Sequence, residues 1–145
     1  MELWRLYREA HGPGLDGTGG LYAPGRWHKA GSRVVYFGGS ASIVVLERLA
    51  HLDPGLLPHD LVLAQYDGDI RAEEMKQAEV GDLGDLQRTR ARGEEFLKAN
   101  VSCVLRVPSV LVPEAWNFVF NPLHPDAMKI RLISSRPFKF DGRLL

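Results

Sequence analysis

The sequence predicts an α+β domain, a mixed sheet of short strands with one well-marked helix inserted early, and three observations lead to it. The 145 residues amount to about one domain, since domains average roughly 100–200 residues. Six or so short β-branched or aromatic runs are punctuated by glycine and proline. Only one segment carries both the caps and the apolar periodicity of a full helix, and no regular strand–helix–strand alternation suggests a doubly wound sheet. Residues 1–145 are therefore read as a single domain with no repeat, linker or low-complexity tail.

Residues 3–7 alternate as a first strand, and residues 12–25, with six glycines and two prolines, read as a loop. Residues 33–37 (Arg-Val-Val-Tyr-Phe) form a second strand that ends at Gly38-Gly39. Ser40 then caps a helix running to about Leu52, where Asp53-Pro54-Gly55 stops it. Residues 61–66 predict another strand. The charge-rich segment 70–100 predicts a helical turn or two only at residues 94–99, with Gly81, Gly84 and Gly93 as interruptions. Residues 101–107 alternate so that Val101, Cys103, Leu105 and Val107 share one face, which makes Cys103 a core residue. Residues 116–120 and 128–133 predict two further strands, and 137–141 a last one.

Hydrophobic residues at 45% and charged residues at 25% exclude disordered, collagen-like and disulfide-rich classes. Eighteen basic residues balance eighteen acidic ones, so no overall field holds nucleic acid or anionic lipid and any ligand needs a local site. A lone cysteine favours a reducing compartment, and the N-terminus lacks the apolar core of a signal peptide. No apolar run approaches the roughly 18 residues of a membrane span. A cytoplasmic protein, in contact with neither membrane nor nucleic acid, is the expectation.

Few motifs stand alone. Gly12-Pro13-Gly14-Leu15-Asp16-Gly17 matches a dinucleotide fingerprint by letter, but no helix is expected to start there to receive a pyrophosphate. On the early helix, with Leu46 as the centre of the apolar face, Glu47 falls at about 100°, between Ile43 at about 60° and Val44 at about 160°. A carboxylate so flanked either has an ion-pair partner at a core boundary or lines a pocket. His51 lies one turn beyond Glu47, but a metal site needs a third ligand that the sequence does not offer, and no Gly-x-Ser-x-Gly turn is present. Arg26 sits between Gly25 and Trp27, either as a phosphate clamp or as a surface ion-pairing arginine. Tyr36, near a strand end, suits core packing as well as a pocket wall.

Taken together, Trp4-Arg5-Leu6-Tyr7, Gly25-Arg26-Trp27, Val34-Val35-Tyr36, Leu46-Glu47, Val107-Pro108-Ser109 and Asn117-x-x-x-Asn121-Pro122 resemble the RES domain family, named for its Arg, Glu and Ser. The ordered set spans nearly the whole chain. The family commonly has Asn after the Arg-Trp pair, where this chain has His28, and the span between Glu47 and Ser109 is short. The resemblance implies an ADP-ribosyltransferase-like mixed sheet and the toxin of a bacterial toxin–antitoxin pair that consumes NAD as substrate, with no metal. It makes Glu47, Arg26 and Tyr36 the catalytic candidates. Arg26 would clamp the pyrophosphate and Tyr36 would stack on or bond the nicotinamide end. Ser109 would hold substrate or orient Glu47, and Asn117 would line the site. The ADP-ribosyl acceptor would be water or inorganic phosphate. The alternatives are modification of a host protein and a catalytically silent partner-binding module. The implied partner is a cognate Xre-type helix-turn-helix antitoxin that covers the pocket and makes any DNA contact itself.

Overall fold

The computed structural model describes residues 1–75 and 79–145. Seven strands form one mixed sheet: β1 (Glu2–Arg8), β2 (Val35–Gly38), β3 (Leu61–Asp67), β4 (Ala72–Glu74), β5 (Val104–Pro108), β6 (Trp116–Phe120) and β7 (Arg131–Phe138). Their spatial order is β4-β5-β6-β2-β1-β3-β7, antiparallel throughout except for the parallel pair β4 and β5. The helices are α1 (Gly19–Tyr22), α2 (Ala41–Ala50) and α3 (Leu86–Ala99), and the expected α+β class is what the chain adopts.

The sheet is covered on both faces in its β5–β6–β2 part. Val104 and Leu105, adjacent on β5, are both fully buried and belong to different apolar clusters. One cluster joins Leu3, Phe37, Tyr66, Val104 and Phe120, with Phe37 meeting Tyr66 and Phe120 edge-on at 5.6 and 5.3 Å between ring centroids. The other packs Trp27, Met75, Leu83, Phe96, Leu105 and Val107 together, with Phe96 contributed by α3.

Six expectations need correction. Helix α3 runs unbroken over fourteen residues rather than one or two turns, capped by the Asp85 side chain accepting from Arg88 N–H. Gly93 lies inside it because a Cβ there would collide with the backbone of Trp27; packing outweighs its poor helix propensity of about 1 kcal/mol. The charge-rich segment also contains β4, too short for a sequence signal, and its residues 76–78 lie outside the described ones. Strand β5 starts only at Val104, so the alternation read through residues 101–107 breaks: Val101 is 76% exposed, and Cys103, though in the core as expected, joins the cluster of Val104 rather than that of Leu105 and Val107. Burial pushes the Cys103 thiol up to about 12.

Near the C-terminus, residues 125–129 form a 3-10 turn, so the strand expected over 128–133 starts only at Arg131 and runs on to Phe138 as one strand, β7, in place of a separate strand over 137–141; Pro137 is tolerated because β7 is an edge strand. On α2, Ile43 is the buried residue and Leu46 is exposed, so the apolar face is rotated from the one centred on Leu46. Finally, the glycine-rich loop contains α1, one helical turn, where none was expected.

The feature that positions the site is the weak seam between β1 and β2. Seven register pairs join β1 to β3, but a single pair, Trp4 with Gly38, joins β1 to β2. Arg5 bridges the opening, donating from Nη1 to the Tyr36 carbonyl at 2.9 Å and from Nε to the Pro13 carbonyl at 2.7 Å. Helix α2, started by Ser40 Oγ accepting from Ile43 N–H at 3.2 Å, packs against both strands.

Candidate active site

A cavity of about 380 Å³ lies at this opening. Its walls bring together Arg5 and Leu6 of β1, Gly25, Arg26 and Trp27 of the loop, Tyr36 and Phe37 of β2, Val44, Glu47, Arg48 and His51 at α2 and just beyond it, and Pro108, Val110 and Asn117 from β5, its exit and β6. A volume in the range of about 300–1,000 Å³, with apolar walls and a few convergent polar groups, is what small-molecule sites use. Arg26, Tyr36, Glu47 and Asn117, four of the five expected site residues, share this one cavity although up to 91 positions separate them along the chain.

Glu47 is held on one oxygen. Its Oε1 accepts from Ser109 Oγ at 2.7 Å and from Asn117 Nδ2 at 2.8 Å. No other hydrogen bond to the carboxylate is made among the described residues, so Oε2 is left for a ligand. Ser109 is fully buried and not part of the cavity wall; it touches Glu47 and also accepts from the backbone N–H groups of Leu111 and Val112. Of the two roles expected for it, contact with Glu47 is the one the geometry provides. The salt-bridge alternative for Glu47 finds no partner among the described residues, because both its bonds are to neutral donors.

Arg26 donates from Nη1 to the Leu83 carbonyl at 2.9 Å, which ties the guanidinium to the segment before α3 and leaves its other N–H groups without a partner among the described residues. The loop carrying it is clamped from α3: Thr89 Oγ1 donates to the Arg26 carbonyl at 2.6 Å and Arg90 Nε to the Gly25 carbonyl at 2.8 Å.

Tyr36 turns its hydroxyl away from solvent. The oxygen accepts from Trp27 N–H at 3.1 Å and lies 2.7 Å from His28 Nδ1, and burial pushes the phenol well above its ordinary value of 10.0. His28 itself is 3% exposed and absent from the wall of this cavity, so it reaches the cavity only through Tyr36. Gly25 is required by this packing, since a Cβ there would stand 2.6 Å from the Tyr36 hydroxyl and 2.9 Å from His28 Nδ1.

Arg5, Arg48 and His51 complete the polar lining and were not singled out for it from the sequence. Arg5 and Arg48 both have their pKa lowered, chiefly by burial. Arg48 follows Glu47 directly, and a helical wheel that allowed the pocket to face the polar border of α2 would have found it. Among the described residues no group of three or more His, Cys, Asp or Glu side chains is placed to hold a metal. A second cavity, about 830 Å³, lies along the glycine-rich loop and shares Arg5, Gly25 and Tyr36 with the first.

A family model described as RES domain matches residues 2–141. A protein named Toxin Res from Pseudomonas putida KT2440 is 36% identical, with 99% of each chain covered. A Prs ADP-ribosylating toxin from a Sphingobium species is 30% identical over 99% of this chain and 96% of its own. A chain of the M. tuberculosis MbcT–MbcA toxin–antitoxin complex has the same fold, with a TM-score of 0.69 over 94% of this chain and 83% of that one at 18% identity.

Proposed function

The chain belongs to the RES domain family, and on that footing we propose that it is the toxin of a toxin–antitoxin pair and cleaves NAD at the nicotinamide–ribose bond, passing the ADP-ribosyl group to water or inorganic phosphate. The observation that carries the reading is the half-held Glu47 carboxylate, oriented from behind by Ser109 and Asn117 in a cavity that also contains Arg26.

Breaking a glycosidic C–N bond to a pyridinium leaving group develops positive charge on the ribose. A carboxylate fixed beside that carbon stabilises the charge without reorganising and accepts a hydrogen bond from a sugar hydroxyl. Glu47 Oε2 is the group for this. Arg26, tied at one nitrogen, keeps donors for a phosphate of the pyrophosphate, and Arg5 and Arg48 add positive potential around the same anion. Tyr36 supplies an aromatic wall for the nicotinamide. Nicotinamide leaves with the bonding electron pair, and the acceptor oxygen forms the new bond to the ribose carbon.

The test is chromatographic: purified chain, freed from any antitoxin, incubated with NAD in the presence and absence of phosphate. Release of nicotinamide with loss of NAD is expected, and a folded preparation that leaves NAD untouched would overturn the reading. The Sphingobium relative's name favours a second reading, transfer to a protein. Labelled NAD in a lysate separates the two, because a discrete labelled protein band signals the second. A cytoplasmic Xre-type antitoxin that covers the cavity is the proposed partner; co-purification of the neighbouring gene product, with loss of NAD consumption in the complex, tests it.

A further inference from the structure

The hydrogen bonds around His28 determine its tautomer, and the tautomer determines what Tyr36 can offer. His28 Nε2 lies 2.8 Å from the Ala23 carbonyl, which only accepts, so Nε2 carries the proton. In the neutral ring Nδ1 is then an acceptor, and at 2.7 Å it takes the Tyr36 hydroxyl proton. The same hydroxyl oxygen receives Trp27 N–H at 3.1 Å, and Gly25 closes over it. The chain Trp27 N–H to Tyr36 O–H to His28 Nδ1, and His28 Nε2–H to Ala23 carbonyl, is complete with every donor matched to an acceptor. The Tyr36 side chain nevertheless lines the smaller cavity, whereas His28 lines only the larger one.

We propose that His28 is a positioning residue for Tyr36: as the Nε2–H imidazole it accepts the hydroxyl proton from behind, so that Tyr36 presents its ring and not its hydroxyl to the substrate. The proposal rests on the NAD reading above and narrows it, since a ring whose hydroxyl is engaged elsewhere recognises an aromatic cation through its face, without a hydrogen bond. An Asn substituted here would offer Oδ1 as an acceptor for the same proton, which the second arm of the test uses.

Two measurements on the full chain test it. Long-range proton–nitrogen NMR at neutral pH is expected to find His28 in the Nε2–H form with a protected Tyr36 hydroxyl proton; an Nδ1–H ring overturns the proposal. This arm needs no turnover, so it decides the question even if wild-type protein leaves NAD intact and the catalytic reading falls. In the second arm, His28→Leu should raise KM for NAD at least about tenfold with kcat changed less, while His28→Asn stays within about threefold of wild type. Tyr36→Phe keeps the ring, and the double variant His28→Leu/Tyr36→Phe should be no worse than the poorer single one, because removing both partners leaves no unpaired donor between them. Losses that multiply, an Asn variant as poor as the Leu variant, or a Tyr36→Phe loss confined to kcat would each overturn it. Circular dichroism of each variant reports folding, and should the Leu variant not fold, the Asn and Phe variants and the NMR arm still decide.

Discussion

The two walls of the cavity are built the same way and end with opposite chemistry. On the α2 wall, Glu47 is gripped from behind by Ser109 and Asn117. On the β2 wall, Tyr36 is gripped from behind by Trp27 N–H and His28 of the loop. A carboxylate has two oxygens and about four acceptor sites, so Glu47 is oriented through Oε1 and keeps Oε2 for a ligand. A phenol has one oxygen and one proton, so orienting Tyr36 through its hydroxyl removes that hydroxyl from use. The same kind of support from behind therefore leaves one group chemically available and converts the other into an apolar surface.

The largest effect should come from removing the available charge. Glu47→Gln keeps an amide oxygen for Ser109 and Asn117 to donate to, yet is expected to lower kcat for NAD consumption at least about 100-fold, as loss of an electrostatic stabiliser does; an active variant would break the contrast between the walls. Next is Gly25→Ala, whose methyl would press on both Tyr36 and His28. Overpacking of this kind costs about 1–3 kcal/mol, read by denaturant unfolding, and KM should rise with it. Ser109→Ala removes one of two donors to Glu47 and strands the N–H groups of Leu111 and Val112, so stability should fall by about 1–2 kcal/mol and turnover several-fold. Wild-type turnover in this variant would show that Asn117 alone orients the carboxylate.

The smallest effect is a titration. Burial raises the pKa of Tyr36 and of Tyr66 above the unfolded value of 10.0, so the folded chain binds these protons more tightly. The stability linked to them is fully present below pH 10 and is lost as pH rises beyond it. Ultraviolet titration of the four tyrosines should show a late-ionising component that Tyr36→Phe diminishes. If Tyr36 ionises with the exposed Tyr22, its hydroxyl is not withdrawn and the β2 wall resembles the α2 wall after all.

Legibility from the sequence followed the range of the interactions. The Ser40 cap, the apolar strand runs and the stop at Asp53-Pro54-Gly55 are local, and β2, α2, β3 and β6 lie where these signals put them. Helix α3 was missed because Gly93 is a breaker by propensity and a packing requirement in the fold, a distinction only the presence of Trp27 makes. Cys103 was placed in the core correctly but on the wrong face, because alternation was carried three residues beyond the start of β5. At the site, Arg26, Tyr36 and Glu47 each have a bland reading in their own neighbourhood, and Ser109 and Asn117 come from the family resemblance alone. His28 stands out in the sequence only as a departure from a family pattern, and its bond to the Tyr36 hydroxyl is visible only in the fold.

What the sequence determined unaided was the class of fold, the elements with strong end signals, and the residue types available for chemistry, because backbone preferences and side-chain periodicity act over a few positions. Which oxygen of Glu47 is free, which way the Tyr36 hydroxyl points, and that one cavity gathers β1, β2, α2 and β6 were decided by tertiary structure alone. Those facts depend on where hydrogen-bond partners 8, 62 and 70 residues away come to rest, and on a sheet joined by one register pair at the seam where the cavity opens.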